Sequence, residues 1–442
     1  MPIEGRKRMT LPRVGYNLAM ILGGTFGMPL ILFGVMLFEK RRKTFFRRLG
    51  FMGLPRIVSG GLKPIWVHAL SVGEVMAAVP LIRALKGRLP DRPVVLSVST
   101  FTGFQLATRR VKGIQKPVFF FPFDLIPSVK SVIRRIDPAA VLILETDLWP
   151  NFISCLKQRK TPLILVNARI SPKSYNRYRR FRFATRMLFG ALSGVCAPTA
   201  EDARRLMDLG VSESRIRVTG NLKYEQPVPA TPSEIGCWKT ALGFDGDPKI
   251  LVAGSTHPGE EIFLLRAFVK IRKSYPKFRI VLAPRDPRRA EAVRRAAQAH
   301  GLGTILLSES RKEPSKGVVC IVVDRLGVLN RMYAAADMVF VGGSLVKEGG
   351  HNPLEPAAWG KPILFGPDMS DFAAIAGTLM AAGGAVRVKH ADLLADEMLR
   401  LMRAPETARA MGDAARRAAR KGKGAAEMVA EMVAHFLPEE PG

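Results

Sequence analysis

What most constrains this chain is a rhythm that runs twice. Short apolar runs, each the length of one buried strand, alternate with amphipathic stretches of helical period. In the first half the runs are Ile65–Leu70, Val94–Thr100, Val118–Phe123, Val141–Glu145, Leu163–Asn167 and Gly194–Pro198. Helical patterns lie between them at Glu74–Leu89, Pro127–Ile136, Asn151–Gln158 and Ala200–Leu209. Such alternation predicts a parallel sheet covered by helices on both faces. "NLKYEQPVPATPSEIGCW" (Asn221–Trp238), with three prolines and no clear period, interrupts the rhythm and reads as a linker. The rhythm then restarts with strands at Ile250–Ala253, Arg279–Ala283, Val318–Val323, Met338–Val341 and Pro362–Phe365. Its helices fall at Glu260–Lys273, Arg288–Ala299 and Leu329–Ala336. The expected fold is α/β, two Rossmann-like doubly wound domains facing a cleft, with ligands at the carboxyl ends of the strands.

The predicted segments are 1–48 (apolar anchor with basic flanks), 49–224 (first domain), 225–245 (linker), 246–404 (second domain) and 405–442 (helical tail). Pro405–Leu437 is Ala/Arg-rich and strongly helical, and its packing onto either domain is left open by the sequence.

From Tyr16 to Phe38 the chain holds no charged residue in 23 positions. That length meets the requirement for crossing a bilayer core. Arg6, Lys7, Arg8 and Arg13 precede it; Lys40, Arg41, Arg42, Lys43, Arg47 and Arg48 follow. A cleaved signal peptide would be shorter and would not carry a basic cluster at its cleavage site. A buried soluble helix would show a polar face. The expectation is a membrane anchor, spanning or lying in the bilayer, with the heavier basic flank keeping the body of the chain in the cytoplasm.

The net charge of +31 over 442 residues suits nucleic acid, an anionic membrane surface or anionic small molecules. No nucleic-acid module is recognisable and the charge is spread along the chain, so no nucleic acid is expected as a partner. Cys155, Cys196, Cys237 and Cys320 form no metal-ligating spacing and read as packing thiols of a reducing compartment. "YNRYRRFRFATR" (Tyr175–Arg186) interleaves basic and aromatic residues. It reads either as a headgroup-facing helix or as a solvated basic face.

Most sharp features fall at or just after strand ends: Glu74 in "SVGEV", Glu145 in "ETDLWPN", "NARIS", "STHPGEE", "APRDP" and "GGSLVKEGGHNPLEPAA", while "GNLKY" closes the first domain. In the last, glycines would let backbone approach an anion, and a helix starting near Leu354 would offer amides to phosphate. Glu355 at that helix start suits ribose hydroxyls. The alternative for a lone glycine-rich turn is an ordinary loop.

Taken in order, these motifs resemble the 3-deoxy-D-manno-octulosonic acid (Kdo) transferases of lipopolysaccharide synthesis, over about residues 16–372. The resemblance implies a GT-B fold, CMP-Kdo as donor and a lipid A precursor (lipid IVA) as acceptor, with release of CMP. It further implies no metal and no cofactor, and a place at the cytoplasmic face of the inner membrane among anionic lipids. Glu74 matches the family's general base. A helix start would keep that carboxylate ionised. Glu145 and Lys223 match the proposed transition-state stabilisers. Donor contacts carry over onto Pro284 and Arg285, onto Leu326, Gly327 and Val328, and onto Asn352, Pro353, Leu354 and Glu355.

Two departures stand out. Asp286 occupies the histidine position of the usual PRHP, and Val328 replaces the acidic residue of the usual DTMGEL, so a side-chain contact to the donor there would be lost while backbone contacts would survive. Asp147 shortens the usual ETELWPN carboxylate. The rival readings are a sugar-nucleotide 2-epimerase, which would lack an anchor, and a different membrane-associated glycosyltransferase. An inactive scaffold would have lost Glu74 or Lys223.

Overall fold

The computed structural model describes residues 15–18, 22, 39–51, 61–111, 117–225, 242, 244, 248–310 and 317–437. The chain divides into two compact units, Met1–Glu225 with Lys423–Gly442, and Gln226–Gly422.

The first unit is built on β1 (Ile65–Ala69), β2 (Val94–Val98), β3 (Val118–Phe120), β4 (Ala140–Leu144), β5 (Leu163–Val166), β6 (Gly194–Ala197) and β7 (Ile216–Val218). Every pairing is parallel, in the order β3-β2-β1-β4-β5-β6-β7. β1, β2 and β4 are buried at every position. Helices cover both faces, which is why these strands read as unbroken apolar runs rather than as alternation. One face packs Ile65, Val67 and Leu142 under the helix Val72–Arg88. The other packs Trp66, Phe121 and Phe152. The direction of strand succession reverses between β1 and β4, so their carboxyl ends flank a topological switch point.

The second unit repeats the design with β8 (Ile250–Thr256), β9 (Arg279–Pro284), β10 (Thr304–Leu306), β11 (Cys320–Val322), β12 (Met338–Val341), β13 (Ile363–Phe365) and β14 (Ala385–Arg387). Its order is β10-β11-β9-β8-β12-β13-β14, again all parallel, with the switch point between β8 and β12.

All the strands expected from the sequence are present, with ends shifted by a residue or a few. β7, β10 and β14 were not expected. Each is three residues long, lies at a sheet edge and pairs with a single neighbour. "IRV" in β7 is only half-buried at best, so no apolar run announces it.

The tail goes to both units. The helix Pro405–Lys421 buries Met411, Ala414 and Ala415 in the second, while Ala425–His435 sends Ala425, Val429 and Val433 into the core beneath Val72–Arg88 of the first. Tyr175–Arg186, expected as one helix, belongs to two, Pro172–Arg180 and Arg182–Phe189, broken at Phe181. Phe181 and Phe183 stand exposed at that break.

Most of Tyr16–Phe38, most of the linker and Cys237 lie outside the described residues. Among the described residues no helix is long and apolar enough to cross a membrane. Cys155, Cys196 and Cys320 are buried thiols outside any disulfide.

Candidate active site

Glu74 sits at the carboxyl end of β1, on the first turn of Val72–Arg88. Ser71 caps that helix, its Oγ accepting the Glu74 N–H at 3.4 Å. The Glu74 carboxylate reaches back in the manner of a capping box. Oε2 accepts the Leu70 N–H at 2.7 Å and Oε1 accepts the Ser71 hydroxyl at 3.1 Å. Two donors therefore fix the carboxylate, yet it is only 6% exposed. Burial pushes its pKa up from 4.5 to about 7. The negative charges of Glu145 and Asp147 add to that rise, and the Leu70 and Ser71 hydrogen bonds offset part of it. The sequence reading expected the helix start to keep this group ionised. Desolvation and two like charges outweigh the helix start and leave a carboxyl poised near neutrality.

Glu145 follows β4, across the switch point. Its backbone is left-handed, with φ of +58°, an uncommon conformation for a residue with a Cβ. A hydrogen bond from Glu145 N–H to the Val166 carbonyl, 2.8 Å, holds the turn. Its Oε1 lies 3.6 Å from Lys223 Nζ. Lys223 belongs to a 3-10 turn, Leu222–Glu225, placed from two sides. Asn167 Oδ1 accepts the Leu222 N–H at 3.3 Å, and Glu225 Oε1 accepts N–H bonds from Gly424 (2.5 Å) and Ala426 (3.4 Å) at the start of the last helix. The structure thus brings Glu74, Glu145 and Lys223 to one end of the first sheet.

Beneath them runs a polar chain that sequence reasoning missed. Trp66 Nε1 donates to Ser97 Oγ at 2.7 Å, His68 Nδ1 is 2.9 Å from the same Oγ, and His68 Nε2 is 3.1 Å from Asp147 Oδ2. With Asp147 ionised, Nε2 donates to it, while Nδ1 faces both the Ser97 hydroxyl and the Ser97 carbonyl, the latter at 3.2 Å. Burial raises the Asp147 carboxyl, but His68, the Trp149 indole and the Arg48 charge together hold it below its usual range. Two carboxyls at one switch point are therefore pushed in opposite directions, Glu74 up and Asp147 down. His68 and Ser97 give no sequence signal beyond a polar residue inside a fully buried strand.

In the second unit the fully buried Glu260 accepts four backbone N–H groups. These come from His257 (2.9 Å), Gly343 (2.7 Å), Ser344 (2.9 Å) and Leu345 (2.9 Å). Further along, Gly349 N–H donates to Asp368 Oδ2, Gly350 N–H to the Gly343 carbonyl and His351 N–H to the Gly342 carbonyl. A carboxylate and the loop itself thus use the amides of the glycine stretch. The glycines serve geometry. Gly343 has φ of +68°, and a Cβ on Gly342 would fall 2.5 Å from the Ser255 carbonyl oxygen.

The residues matched to donor contacts all follow carboxyl ends of the second sheet. Pro284 ends β9, and Arg285 is exposed just after it with its N–H bound to the Thr256 carbonyl. Leu326, 76% exposed, and Gly327, φ +86°, lie on the loop after β11, where Val328 begins the helix Leu329–Ala335. Asn352 Oδ1 accepts the Leu354 N–H at 3.1 Å. Pro353 caps the short helix Leu354–Ala358, and Glu355 lies in its first turn. Asp286 binds the Arg288 guanidinium and backbone N–H, which hold its carboxyl down to about 2. Among the described residues no cluster of three or more His, Cys, Asp or Glu side chains is arranged to hold a metal ion.

A family model described as 3-deoxy-D-manno-octulosonic-acid transferase (kdotransferase) matches residues 43–226. A 3-deoxy-D-manno-octulosonic acid transferase of Haemophilus influenzae is 31% identical over 84% of this chain and 87% of its own length. One of Bordetella pertussis is 34% identical over 80% and 82%. The chain belongs to the 3-deoxy-D-manno-octulosonic acid transferase family. It is therefore a glycosyltransferase, and the family model covers Glu74, Glu145 and Lys223 together. Solved UDP-GlcNAc 2-epimerases share the transferase's fold. The Neisseria meningitidis enzyme has a TM-score of 0.56 at 15% identity, over 84% of this chain and 99% of its own. The Methanocaldococcus jannaschii enzyme has 0.54 at 14%, over 84% and 99%.

Proposed function

We propose that this chain transfers Kdo from CMP-Kdo to a hydroxyl of a lipid A precursor, lipid IVA, in lipopolysaccharide synthesis, with Glu74 as general base. The observation that carries the reading is the buried Glu74 carboxyl, poised at about 7 beside the Glu145–Lys223 pair. A base with that pKa is partly ionised at neutral pH and strong enough to accept a proton as the acceptor hydroxyl attacks. The hydroxyl oxygen forms a bond to the anomeric carbon of Kdo and its proton passes to Glu74. The bond from that carbon to the phosphate oxygen breaks, and its electron pair leaves with CMP. Lys223, steered by Glu145, supplies positive charge against the anionic groups of the transition state. Donor binding is assigned to Pro284, Arg285, Leu326–Val328 and Asn352–Glu355. No metal or other cofactor is invoked.

The acceptor is an anionic lipid, and the first unit has features suited to a membrane. Phe181 (62% exposed) and Phe183 (73%) project among Arg177, Arg179, Arg180, Arg182 and Arg186. Apolar rings amid arginines match the interface of an anionic bilayer. Tyr16 donates to Asp124 Oδ2 at 3.0 Å, and Asn17 exchanges hydrogen bonds with Asn151 at 3.1 and 2.8 Å. The uncharged segment that begins there is read as an anchor holding the acceptor unit at the cytoplasmic face of the inner membrane.

The test mixes purified protein, CMP-Kdo generated in situ and lipid IVA. The expected result is CMP release with a mass gain of Kdo on the lipid. If neither appears with folded protein, the proposal fails.

A further inference from the structure

At the switch point of the second sheet, two imidazoles meet head to head. His257 is the first residue after β8, and His351 lies on the loop after β12. Their Nε2 atoms are 2.8 Å apart and the rings stack at 5.1 Å with 21° between planes. At that distance one nitrogen must hold a hydrogen and the other a lone pair. The far nitrogen of His257, Nδ1, is 3.9 Å from Glu348 Oε2. A Cβ on Gly343 would meet His351 Cδ2 at 3.0 Å, so the glycine leaves the ring its place.

The carboxylate of Glu348 favours a hydrogen on His257 Nδ1. In an uncharged pair His351 then donates its Nε2 hydrogen to His257 and presents a bare lone pair at its own Nδ1. A lone pair repels an anion. One extra proton on the pair converts that nitrogen to an N–H donor while keeping the bond between the rings and the orientation toward Glu348. The charged groups around the pair are Arg285 from the end of β9, Glu348 on the same loop as His351, and Glu260, which binds the His257 N–H. Burial, Arg285 and His257 hold the His351 imidazole down to about 4. An anion placed there supplies the missing compensation.

We infer that His257 and His351 form a paired acid that binds an anionic oxygen of the donor, phosphate or sugar carboxylate, and takes up one proton from solvent as it does so. The inference rests on the reading of the chain as a CMP-Kdo enzyme, and it assigns two residues that are not among the donor contacts carried over from the family.

The experiment is titration calorimetry of the full-length protein at pH 7.5 in phosphate-free buffers of differing ionisation enthalpy. CMP carries a phosphate without a carboxylate, free Kdo a carboxylate without a phosphate, and cytidine neither. Proton uptake approaching one per CMP, absent with cytidine, assigns the phosphate; uptake with Kdo alone assigns the carboxylate. His351→Asn is expected to abolish the uptake and weaken the responsible ligand roughly tenfold, the scale of one lost charge-assisted hydrogen bond. Binding without uptake in every arm, or uptake unchanged in His351→Asn, overturns the pair while leaving the enzyme reading intact. Failure of both CMP and Kdo to bind overturns the enzyme reading and this inference with it. Should His351→Asn not fold, nitrogen-15 spectra of histidine-labelled wild type decide instead: ligand must convert one ring to the doubly protonated form, and an unchanged spectrum refutes the pair.

Discussion

Glu74 should give this enzyme an acid limb near pH 7 and make Glu74→Gln inactive without unfolding it. The native carboxyl is pushed from 4.5 to about 7. At about 1.4 kcal/mol per pH unit, ionising it in place costs about 3 kcal/mol more than in water. If the ionised form is the base, roughly one molecule in ten is competent at pH 6 and roughly nine in ten at pH 8. A profile of kcat/KM for CMP release between pH 5.5 and 9 should therefore rise with a slope of one and level off above pH 7.5. Glu145→Gln removes one of the like charges that raise Glu74, so its limb should move to lower pH even as the plateau rate falls. Stability must follow the same linkage. The native state holds this proton more tightly than the unfolded chain, so the stabilisation is complete below about 4.5 and is lost as pH rises through about 7. Glu74→Gln has no such loss, and its melting temperature should decline less than that of wild type between pH 5 and 8. A rate independent of pH across this range, or an acid limb near 4.5, would refute the argument for a buried, poised base. Turnover by Glu74→Gln above a tenth of wild type would remove Glu74 from that role.

Three further outcomes are expected. Lys223→Met should lower kcat by roughly 10²–10³, the scale of removing one group aimed at transition-state charge, with an unchanged melting temperature; a change confined to KM would make it a binding residue only. Glu260→Gln turns an amide NH₂ toward backbone donors that Glu260 now accepts, so it should destabilise the second unit by about 3 kcal/mol in denaturant titration. A loss under 1 kcal/mol would show that the glycine loop holds itself. Phe181→Ser with Phe183→Ser should weaken partition onto vesicles containing anionic phospholipid severalfold while CMP binding persists; unchanged partition would leave the exposed rings without a membrane role.

Much of this molecule was legible before folding because parallel strands buried on both faces leave unbroken apolar runs. β1, β2, β4 and β12 announce themselves this way, and the reactive residues stand just beyond the ends of such runs. The short edge strands β7, β10 and β14 were not legible. Each gains its hydrogen bonds from one neighbour and needs no apolar signature of its own. Tyr175–Arg186 shows a related limit: its composition announces an interface, but not the break at Phe181 that exposes two phenylalanine rings.

The sequence by itself determined two doubly wound domains, a family of chemistry, and the place of Glu74 and Glu145 at the ends of their strands, with Lys223 known only from its motif, because hydrophobic period and motif order are properties of the linear chain. Only the tertiary structure decided what those groups are chemically. Glu74 becomes a carboxyl near neutrality because the folded chain buries it against Glu145 and Asp147. The glycine-loop amides are occupied because Glu260, more than eighty residues earlier, reaches them. The two histidines share one hydrogen because β8 and β12 are neighbours in the sheet. Desolvation and charge proximity depend on separation in space, and folding sets that separation between residues far apart in the chain.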